Sequence, residues 1–279
     1  MAVNTDEPEY WRSAQQWVDY QDLLDLLLQP VLDRLLVEAE LQPGQRVLDI
    51  GCGTGASTMA AARQVGETGH VTGADISGLM LDHARKRTAQ AGLDRINYIE
   101  GDAQTHGFAE AGYDHVISRF GVMFFADPVA AFRNILKPLK PGGQMVFLAW
   151  SGPAQNPWFA IPAQAAMDVL GKPEPSDPRA PGPMAFQERD YVDSILNNAG
   201  WHAVEISEIA LELTPKGSVA DIAAFATRLG PASRIIKDKG GTEADTKRIE
   251  ETVAENMAAF DTEKGVRVPA MLNLVRARR

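Results

Sequence analysis

Cysteine is almost absent from this sequence, which contains Cys52 as its single thiol. An intrachain disulfide is therefore excluded, and a reducing compartment such as the cytoplasm is the expected location. Basic residues are also scarce, because 27 Lys and Arg stand against 37 Asp and Glu and give a formal net charge of -10. This balance predicts that nucleic acid is not a partner, since phosphate binding requires clustered positive charge.

Long apolar runs are lacking as well. The most leucine-rich stretch, residues 23–36, is interrupted by Asp25, Pro30 and Arg34 and is too short to cross a bilayer. The opening MAVNTDEPEYW has neither the basic nor the apolar part of a signal peptide. No Cys/His cluster and no HxxxH spacing occurs. We therefore expect a soluble protein with no membrane partner and no metal ion.

Alternating strand-like and helix-like segments fill the region from residue 43 to residue 150. Five apolar stretches (RVLDIG, HVTGADI, INYIEGD, YDHVISRF and GGQMVFLAW) are separated mainly by helical patterns. This alternation predicts βαβ units and a parallel sheet, hence the α/β fold class. Ser77 and Asp127 are predicted helix N-caps, and Gly92 is a predicted C-terminal stop.

Changes in residue pattern along the sequence predict a division of the chain into four segments. Residues 1–42 are predicted to form an N-terminal helical cover, and residues 43–150 the α/β core. Residues 151–260 are predicted to form a cap or insertion with a late helix and a sixth strand. Residues 261–279 are predicted to supply a final strand that completes the core sheet, with Pro269 at an edge or bulge.

The stretch VLDIGCGTG (residues 47–55) suggests a ligand site. Three glycines directly after a buried strand let the backbone turn sharply and approach a ligand, next to the free N–H groups of the following helix. Dinucleotide-binding folds use such a loop, with an acid about twenty residues later. Here Gly51, Gly53 and Ala56 fit that pattern loosely, and Asp75 supplies the acid.

Asp49 favours a different ligand. It stands two residues before the first glycine, where a carboxylate would repel a pyrophosphate and attract an ammonium group. The third glycine also follows the first by four residues instead of five. These features suit S-adenosyl-L-methionine (AdoMet), a nucleoside joined to an amino acid.

Five blocks of this sequence, taken in order, resemble the motifs of class I AdoMet-dependent methyltransferases of small-molecule type, similar to ubiquinone and menaquinone methyltransferases. The resemblance is close over residues 45–150. It implies a Rossmann-like, doubly wound seven-stranded sheet whose last strand is antiparallel, with helices as cover and cap. It also implies methyl transfer from AdoMet to O, N, C or S of a small metabolite, with release of S-adenosyl-L-homocysteine. The blocks are VLDIGCGTG, GADIS, EGDAQ, YDHVISRFGVMFF and LKPGGQMVFL.

The resemblance also implies roles for individual residues. Asp49 would reach the methionine ammonium, Asp75 the ribose hydroxyls and Asp102 the adenine amine, while the Ser118 carbonyl would also face the ammonium. The full set implied for the cofactor is Asp49, Gly51, Cys52, Gly53, Gly55, Asp75, Ile76, Met80, Gly101, Asp102, Ala103, Ser118, Arg119, Phe120 and Trp11.

No motif names a catalytic residue, because displacement at a sulfonium mainly requires alignment and exclusion of water. The candidates are His106 near the cleft rim, Arg119 after the fourth strand and the aromatic Tyr20. Candidate contacts to a small-molecule methyl acceptor are Tyr10, Trp17, Met123, Phe124, Asn156 and Trp158. Two alternatives stay open at this point: an NAD-dependent oxidoreductase, and a non-catalytic AdoMet-binding regulatory subunit.

Overall fold

A seven-stranded sheet forms the centre of the computed structural model, which describes residues 15–279. Its strand order is β3-β2-β1-β4-β5-β7-β6. The first five strands are parallel, and β7 runs antiparallel to both of its neighbours. The predicted sheet with an antiparallel last strand is therefore confirmed. The strands are β1 (Arg46–Ile50), β2 (His70–Asp75), β3 (Ile96–Glu100), β4 (Tyr113–Arg119), β5 (Leu139–Trp150), β6 (His202–Leu213) and β7 (Val268–Arg278).

Helices surround this sheet. In residues 15–279, no helix is both long enough and apolar enough to cross a membrane. The α-helices of this part of the chain are α1 (Gln15–Asp19), α2 (Gln21–Leu27), α3 (Gln29–Ala39), α4 (Ala56–Val65), α5 (Gly78–Gln90), α6 (Pro128–Leu136), α7 (Pro157–Leu170), α8 (Arg189–Ala199), α9 (Val219–Arg228), α10 (Pro231–Asp238) and α11 (Glu243–Met257).

Local sequence signals explain where several helices begin and end. The Ser77 hydroxyl accepts the Met80 N–H at the start of α5, and the Asp127 carboxylate accepts the Ala130 N–H at the start of α6. Gly92, just after α5, adopts a φ of 64°, a left-handed conformation that glycine tolerates. The predicted caps are confirmed, and they fix where the chain leaves the carboxyl end of β2 and enters α5.

The N-terminal helices have two different surroundings. Helix α3 packs on β4, β5 and β6, with Val31, Leu35 and Ala39 buried, so it is a layer of the core. Helix α1 instead packs against α5. Thr214, which follows β6, binds the end of α2, because its hydroxyl donates to the carbonyl of Leu26. The first two helices therefore lie beside the sheet, between the core and the chain after β6.

Residues 151–260 also divide between two layers. Helices α7, α9, α10 and α11 pack on one another as a helical cluster in the segment predicted to be the cap, whereas α8 packs on α6 and β6 as part of the core. The proline-rich loop between α7 and α8 is held by its own contacts: the Gly182 N–H donates to the Met123 carbonyl, and Phe186 packs on Phe132 and Phe147.

Pro269 occupies a local edge inside an internal strand. It pairs with Glu212 of β6, but the last β5–β7 pair joins Trp150 and Leu272. Among residues 15–279, no strand pairs with Pro269 on the β5 side, so Pro269 lies at a local edge, as predicted, although β7 lies between two strands. The placement suits a residue that lacks a backbone N–H.

Two backbones cross in close contact at the carboxyl ends of β1 and β4. A Cβ on Gly51 would lie 2.5 Å from the Gly121 Cα, and one on Gly121 would lie 2.6 Å from the Gly51 Cα. The Ser118 hydroxyl donates to the Ile50 carbonyl at 2.7 Å and accepts the Gly121 N–H at 3.0 Å. The chain leaving β4 is thereby pressed onto the glycine loop.

Replacing Gly121 by Ala is expected to lower the free energy of unfolding by about 1–3 kcal/mol, the usual cost of overpacking a tight contact. Urea unfolding measures this change. Gly107→Ala is the matched control, because nothing lies within 4 Å of a Cβ at Gly107. Equal midpoints for the two variants would contradict the close crossing.

Candidate active site

The change of strand order between β1 and β4 places a crevice at the carboxyl ends of these strands. Chains leave the sheet in opposite directions there, which is where ligands bind in open parallel sheets. Asp49 near the end of β1, Asp75 at the end of β2 and Arg119 at the end of β4 all come to this edge. Three predicted cofactor residues are thus brought to one edge by three neighbouring strands.

The glycine loop after β1 depends on left-handed backbone conformations. Gly51, Gly53 and Gly55 have φ values of 66°, 54° and 86°. A Cβ on Gly53 would meet nothing closer than the Met80 sulfur at 3.8 Å, so one side of the loop is open next to Met80. The loop is tied to β2, because the Gly53 N–H donates to Asp75 Oδ2 at 2.8 Å.

The Asp49 side chain is fully buried, and only one of its two carboxylate oxygens accepts hydrogen bonds within the described residues. Its Oδ2 accepts the hydroxyls of Ser57 at 2.7 Å and Thr58 at 2.6 Å, both from the first turn of α4. Its Oδ1 has no hydrogen-bond partner among residues 15–279. Burial raises the pKa of Asp49 from 3.8 to about 6, against the opposing effects of the two hydroxyls and of the Arg119 charge. A carboxylate in this state favours a cation placed at Oδ1.

Arg119 supplies the complementary charge. Its side chain is 13% exposed, and its Nη2 lies 3.9 Å from Asp25 Oδ1 on α2. Its buried Nη1 has no hydrogen-bond partner among the described residues. Burial lowers the pKa of Arg119, while the charges of Asp25 and Asp49 oppose that shift. The carboxyl ends of β1 and β4 therefore offer a carboxylate oxygen, Asp49 Oδ1, and a guanidinium nitrogen, Arg119 Nη1, that have no partner among the described residues.

Asp75 is held by backbone donors. Its Oδ2 accepts the Gly53 N–H, and its Oδ1 accepts the Ser77 N–H at 2.9 Å. Burial raises the pKa of Asp75, and these hydrogen bonds partly reverse the effect. An ionised carboxylate has about four lone-pair sites. Since the Ile76 backbone also donates to this carboxylate, at least one site remains for a ligand hydroxyl group.

The residues predicted to surround adenine lie after β2 and β3. Met80 is buried, and Ile76 is half-buried. The Asp102 carboxylate accepts the Gln104 N–H at 2.9 Å and also binds the Gln104 side-chain amide. Sequence reasoning missed Gln104, because a glutamine in a turn carries no signal that it holds a neighbouring acid.

His106, a predicted catalytic candidate, packs close to the turn after β3. A Cβ on Gly101 would lie 2.7 Å from the His106 Nδ1, and the imidazole meets the ring of Phe108 at 4.8 Å. The neighbouring Ala103 is buried, and its carbonyl accepts the Asn134 amide at 3.0 Å. His106 therefore lies beside the residues predicted to contact adenine.

Cys52 and Ser118 are buried side chains of the loop and strand ends. Burial raises the pKa of the Cys52 thiol well above its usual value, so the thiol stays protonated and acts as a small apolar group. The Ser118 hydroxyl is used in the crossing described above. Among residues 15–279, no cluster of His, Cys, Asp and Glu is arranged to hold a metal ion.

The aromatic candidates form two contact chains near the crevice. Tyr20 packs on Phe225 at 5.5 Å, and Phe225 packs on Trp158 at 5.9 Å, which links the turn between α1 and α2 to helices α7 and α9. Phe120 stacks on Trp150 at 4.3 Å with a non-glycine φ of 67°. Of the other candidates, Trp17 and Phe124 are half-buried and Met123 is buried, whereas Tyr10 and Trp11 lie outside the described residues.

Asn156, predicted to face the acceptor, is fully buried and occupied by structural hydrogen bonds. Its Oδ1 accepts the Met271 N–H at 3.0 Å, and its Nδ2 donates to the Met271 carbonyl at 3.1 Å and to Gly152 O at 3.1 Å. These bonds continue the β5–β7 pairing where β5 ends. We therefore do not carry Asn156 into the proposed acceptor site.

Comparison with known proteins agrees with this geometry. Residues 47–143 match the model of a family described as a methyltransferase domain. Aklanonic acid methyltransferase DauC of Streptomyces sp. (strain C5) is 40% identical over 118 residues, which are 42% of this chain and 54% of that protein. Demethylmenaquinone methyltransferase of Staphylococcus aureus (strain MRSA252) is 32% identical over 142 residues, which are 50% of this chain and 58% of that protein.

A solved structure extends the comparison to most of the fold. The crystal structure of phosphoethanolamine N-methyltransferase 2 from Haemonchus contortus matches 90% of this chain and 52% of that chain, with a TM-score of 0.54 and 18% identity. Residues 47–143 are thus similar to methyltransferase domains, and the predicted resemblance to class I methyltransferases is confirmed over this segment. The chain spans about half the length of the curated relatives it matches.

Substitution of Asn156 by Ala is expected to lower the free energy of unfolding by about 2–3 kcal/mol, because the Met271 backbone groups lose buried partners. Chemical denaturation measures the loss. The adjacent exposed Gln155→Ala should change stability by less than about 0.5 kcal/mol. An Asn156→Ala protein as stable as the Gln155→Ala protein would show that these bonds contribute nothing.

The pKa of Asp49 predicts an unusual pH dependence of stability. Because the folded-state pKa of about 6 exceeds the unfolded value near 3.8, the folded chain holds more protons between these values. This group's contribution to stability therefore falls as pH rises from 4 to 7, by about 2 kcal/mol, since one pKa unit corresponds to about 1.4 kcal/mol and the unfolded carboxyl is already partly ionised at pH 4. Asp49→Asn keeps an oxygen for both hydroxyls and should remove this trend. Unfolding free energies of both proteins at pH 4.5 and pH 7 test it, and a stability difference that does not change with pH would refute it.

Proposed function

We propose that this chain is an AdoMet-dependent methyltransferase that acts on a small organic molecule. The observation that supports this most is the pair of buried, unpartnered atoms, Asp49 Oδ1 and Arg119 Nη1, at the ends of two adjacent strands. The amino-acid end of AdoMet carries an ammonium and a carboxylate, which are the charges these two atoms need. A dinucleotide places its pyrophosphate at such a glycine loop, where the Asp49 carboxylate would repel it, so the NAD-dependent alternative lacks support here.

The remaining residues of the edge fit the nucleoside. Asp75 keeps acceptor capacity for the ribose hydroxyls, and the open side of Gly53 leaves room beside Met80. In this proposal Ile76 and Met80 contact the adenine ring, and Asp102 and Ala103 face its polar edge. The proposal gives residues 43–150 the role of cofactor binding.

Bound AdoMet would supply an electrophilic methyl group, which leaves sulfur by cleavage of the C–S bond as the acceptor atom attacks. The protein's task is then to orient the two ligands and exclude water. Arg119 would hold the carboxylate and cannot serve as a base, since a guanidinium stays protonated. Tyr20 and the aromatic faces of Trp17 and Phe120 would favour a sulfonium by cation–π attraction. Proton removal, where an acceptor needs it, is assigned to no residue.

The acceptor is proposed to be a small organic metabolite methylated at O, N, C or S. The two curated relatives are named for aklanonic acid and demethylmenaquinone, which are both small molecules. The net charge of -10 also favours this class over nucleic acid. In this proposal, helices of the cap within residues 151–260 determine acceptor selectivity, and residues 1–42 form the N-terminal helical cover. The protein is proposed to be located in the cytoplasm.

Calorimetry with S-adenosylhomocysteine and with NAD tests the cofactor, and a labelled-methyl assay over a metabolite extract tests the reaction. Binding of S-adenosylhomocysteine together with label transfer would support a methyltransferase. Binding without transfer would favour a non-catalytic AdoMet-binding subunit. Binding of NAD alone would refute the proposal.

Asp75→Ala is expected to weaken S-adenosylhomocysteine binding by roughly 2–4 kcal/mol, because two hydroxyl contacts to a charged group are lost. Calorimetry gives the dissociation constant. Asp82→Ala on α5 is the control, since Asp82 is exposed and pairs with Arg85. Asp75→Asn keeps an oxygen that can accept the Gly53 N–H and so hold the glycine loop. Comparing it with Asp75→Ala separates loss of the ligand contact from disruption of the loop. An unchanged dissociation constant in Asp75→Ala would remove Asp75 from the site.

A further inference from the structure

Asp25 on α2 connects the N-terminal helices to the candidate site. Its Oδ2 accepts the Arg87 Nη2 at 2.5 Å and the Gln21 Nε2 at 2.6 Å. Its other oxygen faces Arg119 Nη2 at 3.9 Å. Arg87 in turn donates its Nη1 to the carbonyl of Thr54 at 2.8 Å, inside the glycine loop. One carboxylate therefore joins α2, α5, the glycine loop and the end of β4.

The two oxygens of the Asp25 carboxylate make different kinds of contact. Asp25 Oδ2 makes two short bonds, so the Arg87 contact fixes where the carboxylate lies. Oδ1 attracts Arg119 without a short hydrogen bond. The side chains of Arg87, Asp25 and Arg119 are 19%, 21% and 13% exposed, so solvent screens their attraction less than at an open surface.

The charged groups around Arg119 leave one of its guanidinium nitrogens, Nη1, without a hydrogen-bond partner among the described residues. Asp25 lies on the side of Nη2, and Arg87 and Asp49 also act on its charge. The second carboxylate, Asp49, already accepts hydroxyls from Ser57 and Thr58 at one oxygen. The buried Nη1 is left without a partner in the described part of the chain. A guanidinium drawn to Asp25 through Nη2 thus keeps Nη1 available.

We propose that Asp25 is a positioning residue that orients Arg119 toward the carboxylate of the cofactor's amino-acid end. The proposal rests on the proposed function, because it assigns a partner to Arg119 Nη1 within the same site. It also couples helix α2 to occupancy of the site. A ligand carboxylate at Arg119 and the Asp25 contact share one guanidinium, so each affects the other.

The test compares two ligands that differ at the group in question. S-adenosylhomocysteine carries the amino-acid end, whereas 5′-methylthioadenosine shares its nucleoside and thioether and lacks that end. Asp25→Asn is expected to weaken S-adenosylhomocysteine binding about tenfold, the effect of losing part of one charge-assisted contact. Binding of 5′-methylthioadenosine should change less than about threefold. Asp22→Asn, an exposed residue of the same helix, is the control and should change neither.

Two further measurements keep the proposal falsifiable. In an Arg119→Gln background, Asp25→Asn should cause no additional loss, because Asp25 acts through Arg119. Thermal unfolding without ligand checks that each variant folds. Should Asp25→Asn not fold, Asp25→Glu, which moves the charge by one methylene, is expected to give the same selective loss.

The outcomes separate this proposal from the proposed function. Equal weakening of both ligands, or no weakening of either, overturns the role of Asp25 while the unsubstituted protein still binds S-adenosylhomocysteine. An additive loss in the double variant overturns it in the same way. Absence of binding to the unsubstituted protein overturns the proposed function itself and this inference with it.

Discussion

The buried carboxylate of Asp49 is the constraint on which the rest of the site depends. Taking a charge out of water is costly unless hydrogen bonds or an opposite charge compensate. Ser57 and Thr58 supply two hydroxyls from the first turn of α4, where the helix dipole also favours an anion. This arrangement works only if α4 starts directly above the end of β1. The left-handed glycines between them make that tight return feasible.

The same tight return determines where the second strand end can lie. Because Gly51 and Gly121 touch backbone to backbone, the chain after β4 runs directly against the loop, with no room for a side chain between them. This contact holds Arg119 beside Asp49 and leaves Phe120 in a left-handed conformation that non-glycine residues rarely adopt. Stacking of Phe120 on Trp150 accompanies that conformation. The two free polar atoms of the site are thus consequences of one backbone crossing.

How far the sequence alone could lead depends on whether a contact is local. The strand–loop–helix patterns, the caps at Ser77 and Asp127, and the acids at strand ends are local signals, and the structure has them where they were predicted. The Asp25–Arg87 contact joins residues 62 apart, and nothing in either segment marks its partner. Asn156 shows the reverse case. Its place after β5 suggested a ligand contact. Its side chain instead hydrogen-bonds to the backbone of Met271 in β7, more than a hundred residues later.

The division between core and cap explains why cofactor residues can be inferred so much more readily than acceptor residues. Asp49, Asp75 and Arg119 lie within the last two residues of parallel strands, so the sheet's register fixes their positions. The predicted cap contains instead helices packed on one another, linked to the turn before α2 by aromatic contacts such as Tyr20 with Phe225. Helical packing tolerates exchange of apolar side chains of similar volume. Substitutions in these helices can therefore alter the acceptor site that we propose there without disturbing Asp49.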